Sequence, residues 1–167
     1  KYDSLGTALW AKSVSAGANN SYFNSVAIDS SGNVYTAGYQ NGTGSFTYGT
    51  GASVSGTNSL HNAVLVKYDL TGSALWARSL SSVTNYSLFT SVSVNSFGNI
   101  YVAGVGNLAK YDSSGTTIWV KNVNSFNSVA VDSSGEIYTA GYQYGTESYT
   151  YGDEVSIAGT YAGGSNA

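Results

Sequence analysis

The chain of 167 residues is 42% hydrophobic but only 9% charged, so one domain with a real core must draw its solubility from Ser, Thr, Asn and Gly rather than from ions. It has no Cys, Met or Pro and a single His, which excludes disulfides, thiolate metal sites and zinc held by His and Cys. Six Lys and Arg against nine Asp and Glu, a formal charge of −3, argue against a nucleic-acid or anionic-membrane surface, and no apolar run approaches the ~20 residues that span a bilayer.

Residues 1–14 open on Lys1-Tyr2-Asp3, a glycine at position 6 and Trp10-Ala11-Lys12. This phrase returns as Lys67-Tyr68-Asp69, Gly72 and Trp76-Ala77-Arg78, then as Lys110-Tyr111-Asp112, Gly115 and Trp119-Val120-Lys121. The three copies hold every tryptophan and every basic residue of the chain. Each reads as a strand, a turn closed by glycine and a returning strand. A second phrase alternates with the first: Val26-Ala27-Ile28-Asp29-Ser30-Ser31-Gly32-Asn33-Val34-Tyr35, then Val92 to Tyr101, then Val129 to Tyr138. It too is a hairpin. No segment carries a 3.6-residue apolar stripe, so no helix is expected.

Two alternating hairpins make four antiparallel strands, the content of one propeller blade. The first complete unit spans residues 22–80, with strands Val26–Asp29, Asn33–Tyr39, Asn62–Asp69 and Ala74–Leu80. A short unit follows at 88–123 and half a unit at 126–167; residues 1–14 are the closing strand of a split blade. Units one and three carry an additional hairpin at 44–57 and 147–160, and the second passes from Gly104 to Lys110 almost directly. A propeller absorbs such inserts in its loops, whereas a solenoid needs near-constant rungs. The expected fold is all-β, with four-stranded antiparallel blades of a β-propeller: two full blades and partial blades at both ends.

Fixed positions have structural readings. Trp10, Trp76 and Trp119 are expected to fill the wedge between blades. Gly38, Gly104 and Gly141 sit in strands, where glycine marks close approach or a bulge. Asp29, Asn95 and Asp132 are turn residues, and the amide at the middle copy favours hydrogen bonding over charge.

No catalytic constellation emerges. His61 lies outside the repeated phrases and reads as a loop or edge residue. Glu147 and Glu154 could face each other as a glycosidase pair only by accident, because unit one has Gly44 and Gly51 there. The Asp29–Asn33 phrase lacks the alternating acids of a calcium loop. Asp112-Ser113-Ser114-Gly115 spaces its Asp and Gly too widely for the Asp-box of sialidase-type propellers. The remaining candidates are aromatic: Tyr39, Tyr48, Tyr142 and Tyr151, beside Asn and Gln, could stack and hydrogen-bond a sugar or meet a protein. The opposing reading packs them across strands within the hairpins.

The Asp-Ser-Ser-Gly-Asn hairpin, its Val-Tyr-x-Ala-Gly strand and the Lys-x-Asp-x-x-Gly…Trp hairpin resemble the bacterial β-propeller repeat family SBBP over essentially the whole chain. The resemblance implies a propeller in secreted or surface-attached bacterial proteins, with no shared enzymatic site and no cofactor. The expected function is a non-enzymatic extracellular scaffold for protein–protein or assembly contacts; the alternative is a lectin-like propeller using the four tyrosines. Two full blades leave unpaired strands and apolar faces. Further blades of a larger parent, or self-association placing Ala8–Val14 of one copy beside the terminal half-blade of another, are expected to cover them.

Overall fold

A turn repeated six times sets the architecture. At Asp29, Asp69, Asn95, Asp112 and Asp132 the side-chain Oδ1 accepts from the backbone amides two and four residues on, and Asp3 accepts from Leu5 and Thr7 in the same way. The glycine three residues after the Asx donates to the Asx carbonyl and takes a left-handed φ, 80° at Gly32 and 84° at Gly72. A side chain there would be strained, which is why the phrase always ends in glycine.

The computed structural model describes residues 1–17, 19–80, 86–123, 125–151 and 155–166. In chain order the strands are β1 Ser21–Ile28, β2 Val34–Asn41, β3 Ser45–Gly49, β4 Ala52–Ser55, β5 His61–Tyr68, β6 Ala74–Ser79, β7 Leu88–Val94 and β8 Ile100–Val105. They continue with β9 Asn107–Tyr111, β10 Thr117–Asn122, β11 Phe126–Val131, β12 Ile137–Gly141, β13 Gln143–Tyr144, β14 Ser148–Thr150, β15 Ser156–Ala158 and β16 Ser165–Asn166. The chain is all-β, with no helix among the described residues. Two four-stranded antiparallel sheets, β1-β2-β5-β6 and β7-β8-β9-β10, are the two full blades. Two-stranded pairs follow: β11-β12, β13-β16 and β14-β15, with β3-β4 packed on a face of the first blade.

The innermost hairpin of every unit carries a bulge at the same place, between Phe23 and Ser25, Phe89 and Ser91, and Phe126 and Ser128. A Cβ on Gly38, Gly104 or Gly141 would run into the carbonyl oxygen of Tyr22, Leu88 or Ser125 beside that bulge. Close approach, rather than φ, fixes these three glycines.

The blades stack face to face, and the core lies between them. Tyr35, Ala37 and Leu65 of the first blade meet Phe89, Val92, Ile100 and Val102 of the second. On the first blade's other face, Val34, Val64 and Val66 pack with Phe46 and Tyr48 of the β3-β4 hairpin and with Trp10. Strand β5 is therefore buried on both sides, which explains its unbroken Ala63-Val64-Leu65-Val66 run. A third cluster joins Tyr101 and Ala103 to Phe126 and Val129 of β11.

Candidate binding surfaces

Strand register assembles one aromatic surface. Tyr22 of β1 lies directly opposite Tyr39 of β2, and the two rings stack with centroids 4.9 Å apart. His61, one diagonal step along β5, stacks on the other side of Tyr39 at 4.2 Å. Tyr86 follows at 4.5 Å from His61. Burial, followed by the neighbouring Tyr22 and Tyr86 hydroxyls, holds the Tyr39 phenol above its usual pKa. The result is a four-ring ladder on the first blade, with Tyr22 and Tyr86 exposed at its ends.

The other tyrosine candidates lie elsewhere. Tyr48 is buried in the core, where its hydroxyl donates to Gln40 Oε1 at 3.0 Å and contacts Ser21 Oγ at 2.9 Å. Burial raises its pKa, partly offset by Ser21. A ring with no open face stacks no ligand, so Tyr48 leaves the surface set. Phe46 and Tyr48, two residues apart on a strand, share the face that packs on β5 and β6. Tyr151 donates to Gln143 Oε1 at 3.1 Å and stacks on Phe126. Tyr142 sits edge-on to Tyr144. Tyr142 and Tyr151 line a cleft of about 530 Å³ with Leu108, Lys121 and Phe126, whereas Tyr39 is on the first blade. The four tyrosines therefore form no common site.

A second surface comes from the joint between blades. Trp10 lies over Gly72, its ring carbons about 3.0 Å from where a Cβ would be, and donates Nε1 to the Leu70 carbonyl at 3.3 Å. Lys1 Nζ reaches the same carbonyl. One unit later Trp76 covers Gly115 at 3.0 Å, Arg78 Nε donates to the Gly115 carbonyl at 2.9 Å, and Lys67 Nζ donates to the Ser113 carbonyl at 3.1 Å. Trp, its basic neighbour and the strand lysine thus grip the next unit's Asp-x-x-Gly turn. Nearer the centre, Asn24 Nδ2 donates to the Phe89 carbonyl and Thr90 Oγ1 to the Phe126 carbonyl, at 2.8 and 2.7 Å. Ser25 Oγ accepts from Val92 N and Ser91 Oγ from Val129 N, both at 3.1 Å. The bulge that exposes Asn24 and Thr90 is what aims them across the joint.

This bulged hairpin and its Trp-bearing outer strand are recognisable beyond this chain: residues 9–44 match the family model SBBP, described as a β-propeller repeat. No curated protein matches the chain. Among solved structures, a protein of unknown function from Bacteroides caccae at 1.35 Å resolution is similar, with a TM-score of 0.35 and 14% identity over 69% of this chain and 51% of that one. The chain thus spans about half the length of that protein.

In this segment and beyond it, carboxylates serve the turns. Hydrogen bonds from Thr71, Ser114 and Ser134 side chains lead in holding Asp69, Asp112 and Asp132 below the usual range. At Asp3 the Thr7 amide leads. At Asp29 burial pushes upward, but bonds from Asn33 and Tyr35 outweigh it. Glu147 is exposed, and Glu154 lies outside the described residues. Among the described residues no group of three or more His, Asp or Glu is placed to hold a metal ion, and no helix is long and apolar enough to cross a membrane.

Sequence reasoning missed the ladder. Simple counting back from the Asp29–Gly32 turn places Tyr22 against Gln40, and only the bulge between Phe23 and Ser25 shifts it to face Tyr39. His61 lies outside the repeated phrases, so the repeats carry no signal for it.

Proposed function

We propose that this chain is a non-enzymatic repeat scaffold working outside the cell, whose blades make protein–protein or assembly contacts. The observation that carries this reading is the use made of the recurrent residues. Asx and Gly close turns, Trp and Lys or Arg grip the next turn, and Asn or Thr and Ser tie the inner strands. What recurs is joint chemistry. A glycosidase would need two carboxylates across a cleft. Two clefts of about 530 and 590 Å³ are lined by none among the described residues. The extracellular setting is supported by the charge-poor Ser, Thr, Asn and Gly surface of a chain without cysteine, and by the secreted setting that the family resemblance implies.

The Tyr22–Tyr39–His61–Tyr86 ladder favours one second reading, a carbohydrate-binding blade in which rings stack on sugar faces. A glycan array separates the two. The scaffold reading expects a silent array together with a specific protein interface of more than ~1,000 Å². A glycan signal lost in Tyr22→Ala, at the exposed end of the ladder, with the fold intact would establish the lectin reading instead.

A further inference from the structure

We infer that the partner of this scaffold is a second copy of the same chain, docked head to tail; the inference rests on the scaffold reading above. In it, Lys110, Trp119 and Lys121 of one copy close over the Asp3–Gly6 turn of the next. Asn127 and Ser128 of the first copy meet the Phe23 carbonyl and the Val26 amide of the second.

The joint already occurs twice within the chain, so its chemistry is known from Trp10 on Gly72 and Trp76 on Gly115. At the third repeat the two halves of the joint are both present and both unused. Gly72 and Gly115 are buried beneath their tryptophans, while Gly6 is exposed and a Cβ there would meet nothing within 4 Å. Asn127 and Ser128, counterparts of Asn24 and Ser25, are exposed, and their side chains make no hydrogen bond among the described residues.

Burial at equivalent positions changes accordingly. Tyr35 and Tyr101 are 0% and 1% exposed, but Tyr138 is 57% exposed. Val92 and Val129 are each 6% exposed, but Val26 is 62%. Tyr68 and Tyr111 are 2% and 1% exposed, but Tyr2 is 70%. The open residues fall into two groups, one around Tyr2, Gly6 and Val26 and one around Trp119, Ser128 and Tyr138. Each group is the sequence complement that the other lacks. Charge agrees, because Lys110 and Lys121 would approach a turn headed by Asp3. Such a contact is heterologous, and it closes only if the rotation per copy permits.

Sedimentation equilibrium of the 167-residue chain tests this. The expected mass is twice 17.3 kDa. Val26→Lys changes a side chain already exposed within one copy, so the fold is kept; it and Trp119→Ala are each expected to weaken the dimer about tenfold or more. Phe97→Lys, in the exposed turn of the middle blade, should leave the dimer intact. A monomer up to the solubility limit overturns a second copy as the occupant and leaves the scaffold reading to the glycan array. A dimer indifferent to both joint variants overturns this joint while keeping the scaffold reading. A mass that climbs with concentration and collapses with Val26→Lys supports the docking and overturns closure at two copies.

Discussion

Five aspartates and one asparagine occupy the same turn position, and the exception is informative. Asn95 accepts from Phe97 N and Asn99 N at 3.1 and 3.0 Å, the bonds that the carboxylates make elsewhere. Geometry therefore needs an acceptor oxygen, and the charge adds only pH dependence. Asp3, Asp29, Asp69, Asp112 and Asp132 all sit below their ordinary value of 3.8 when folded. Their stabilisation is then complete above that unfolded value and is lost as pH falls through the lower folded one. Asp112→Asn should leave the urea midpoint near its neutral-pH value and reduce its decline below about pH 4. An unchanged acid limb would show that the carboxylate contributes nothing there. Tyr35 offers a sharper contrast. Its buried hydroxyl donates to Asp29 Oδ2 at 3.0 Å beneath the Lys67 ammonium, whereas the equivalent Tyr138 reaches Asp132 at 3.4 Å on the surface. Tyr35→Phe should cost about 1–2 kcal/mol in urea unfolding and Tyr138→Phe almost nothing. Equal losses would mean that burial does not decide the strength of this bond.

Within an element, the inner bulge and the outer tryptophan make the largest demands on sequence. Gly104 faces the Leu88 carbonyl so closely that any Cβ must push the backbone aside. Gly104→Ala is expected to lose about 1–3 kcal/mol, and thermal unfolding that shifts by under a degree would remove the bulge as the reason for glycine. Trp76 is half-buried against Tyr35 and lies over Gly115. Trp76→Ala should cost about 2–3 kcal/mol, below the ~3–5 of a fully buried ring. The repeat hairpins were legible in the sequence because each is closed by a turn whose chemistry is local: Asx, then Gly with φ near 80°. Gly38, Gly104 and Gly141 were readable because they recur inside strands, where glycine marks close approach. The direction of Tyr48 was harder, because its hairpin is an insert with no repeat to fix which face meets the blade. Exposure was not legible at all. Tyr35 and Tyr138 share a phrase, and only the presence of a neighbouring blade separates a core ring from a surface one.

Across the whole molecule, burial is a property of joints, so stability should follow the order in which blades cover one another. The first two blades share the cluster of Tyr35, Leu65, Phe89, Ile100 and Val102, with β5 and β8 nearly fully buried. Strands β12, β14 and β15 are mostly exposed and held in two-stranded pairs. Two-stranded ribbons are marginal alone, and they should open without unfolding the rest. Amide hydrogen exchange is therefore expected to show slow amides in β2, β5, β8 and β9 and fast ones from Ile137 onward when the chain is dilute. Raising the concentration should slow exchange in β11 and β12 specifically if a second copy covers them, because a partner that binds only the closed form stabilises it by mass action. The Val26→Lys chain should keep its dilute pattern at every concentration. Uniform protection across β2 and β12 in the dilute chain would contradict this order, since it would mean that the half-blade is held as firmly as the full blades without any partner.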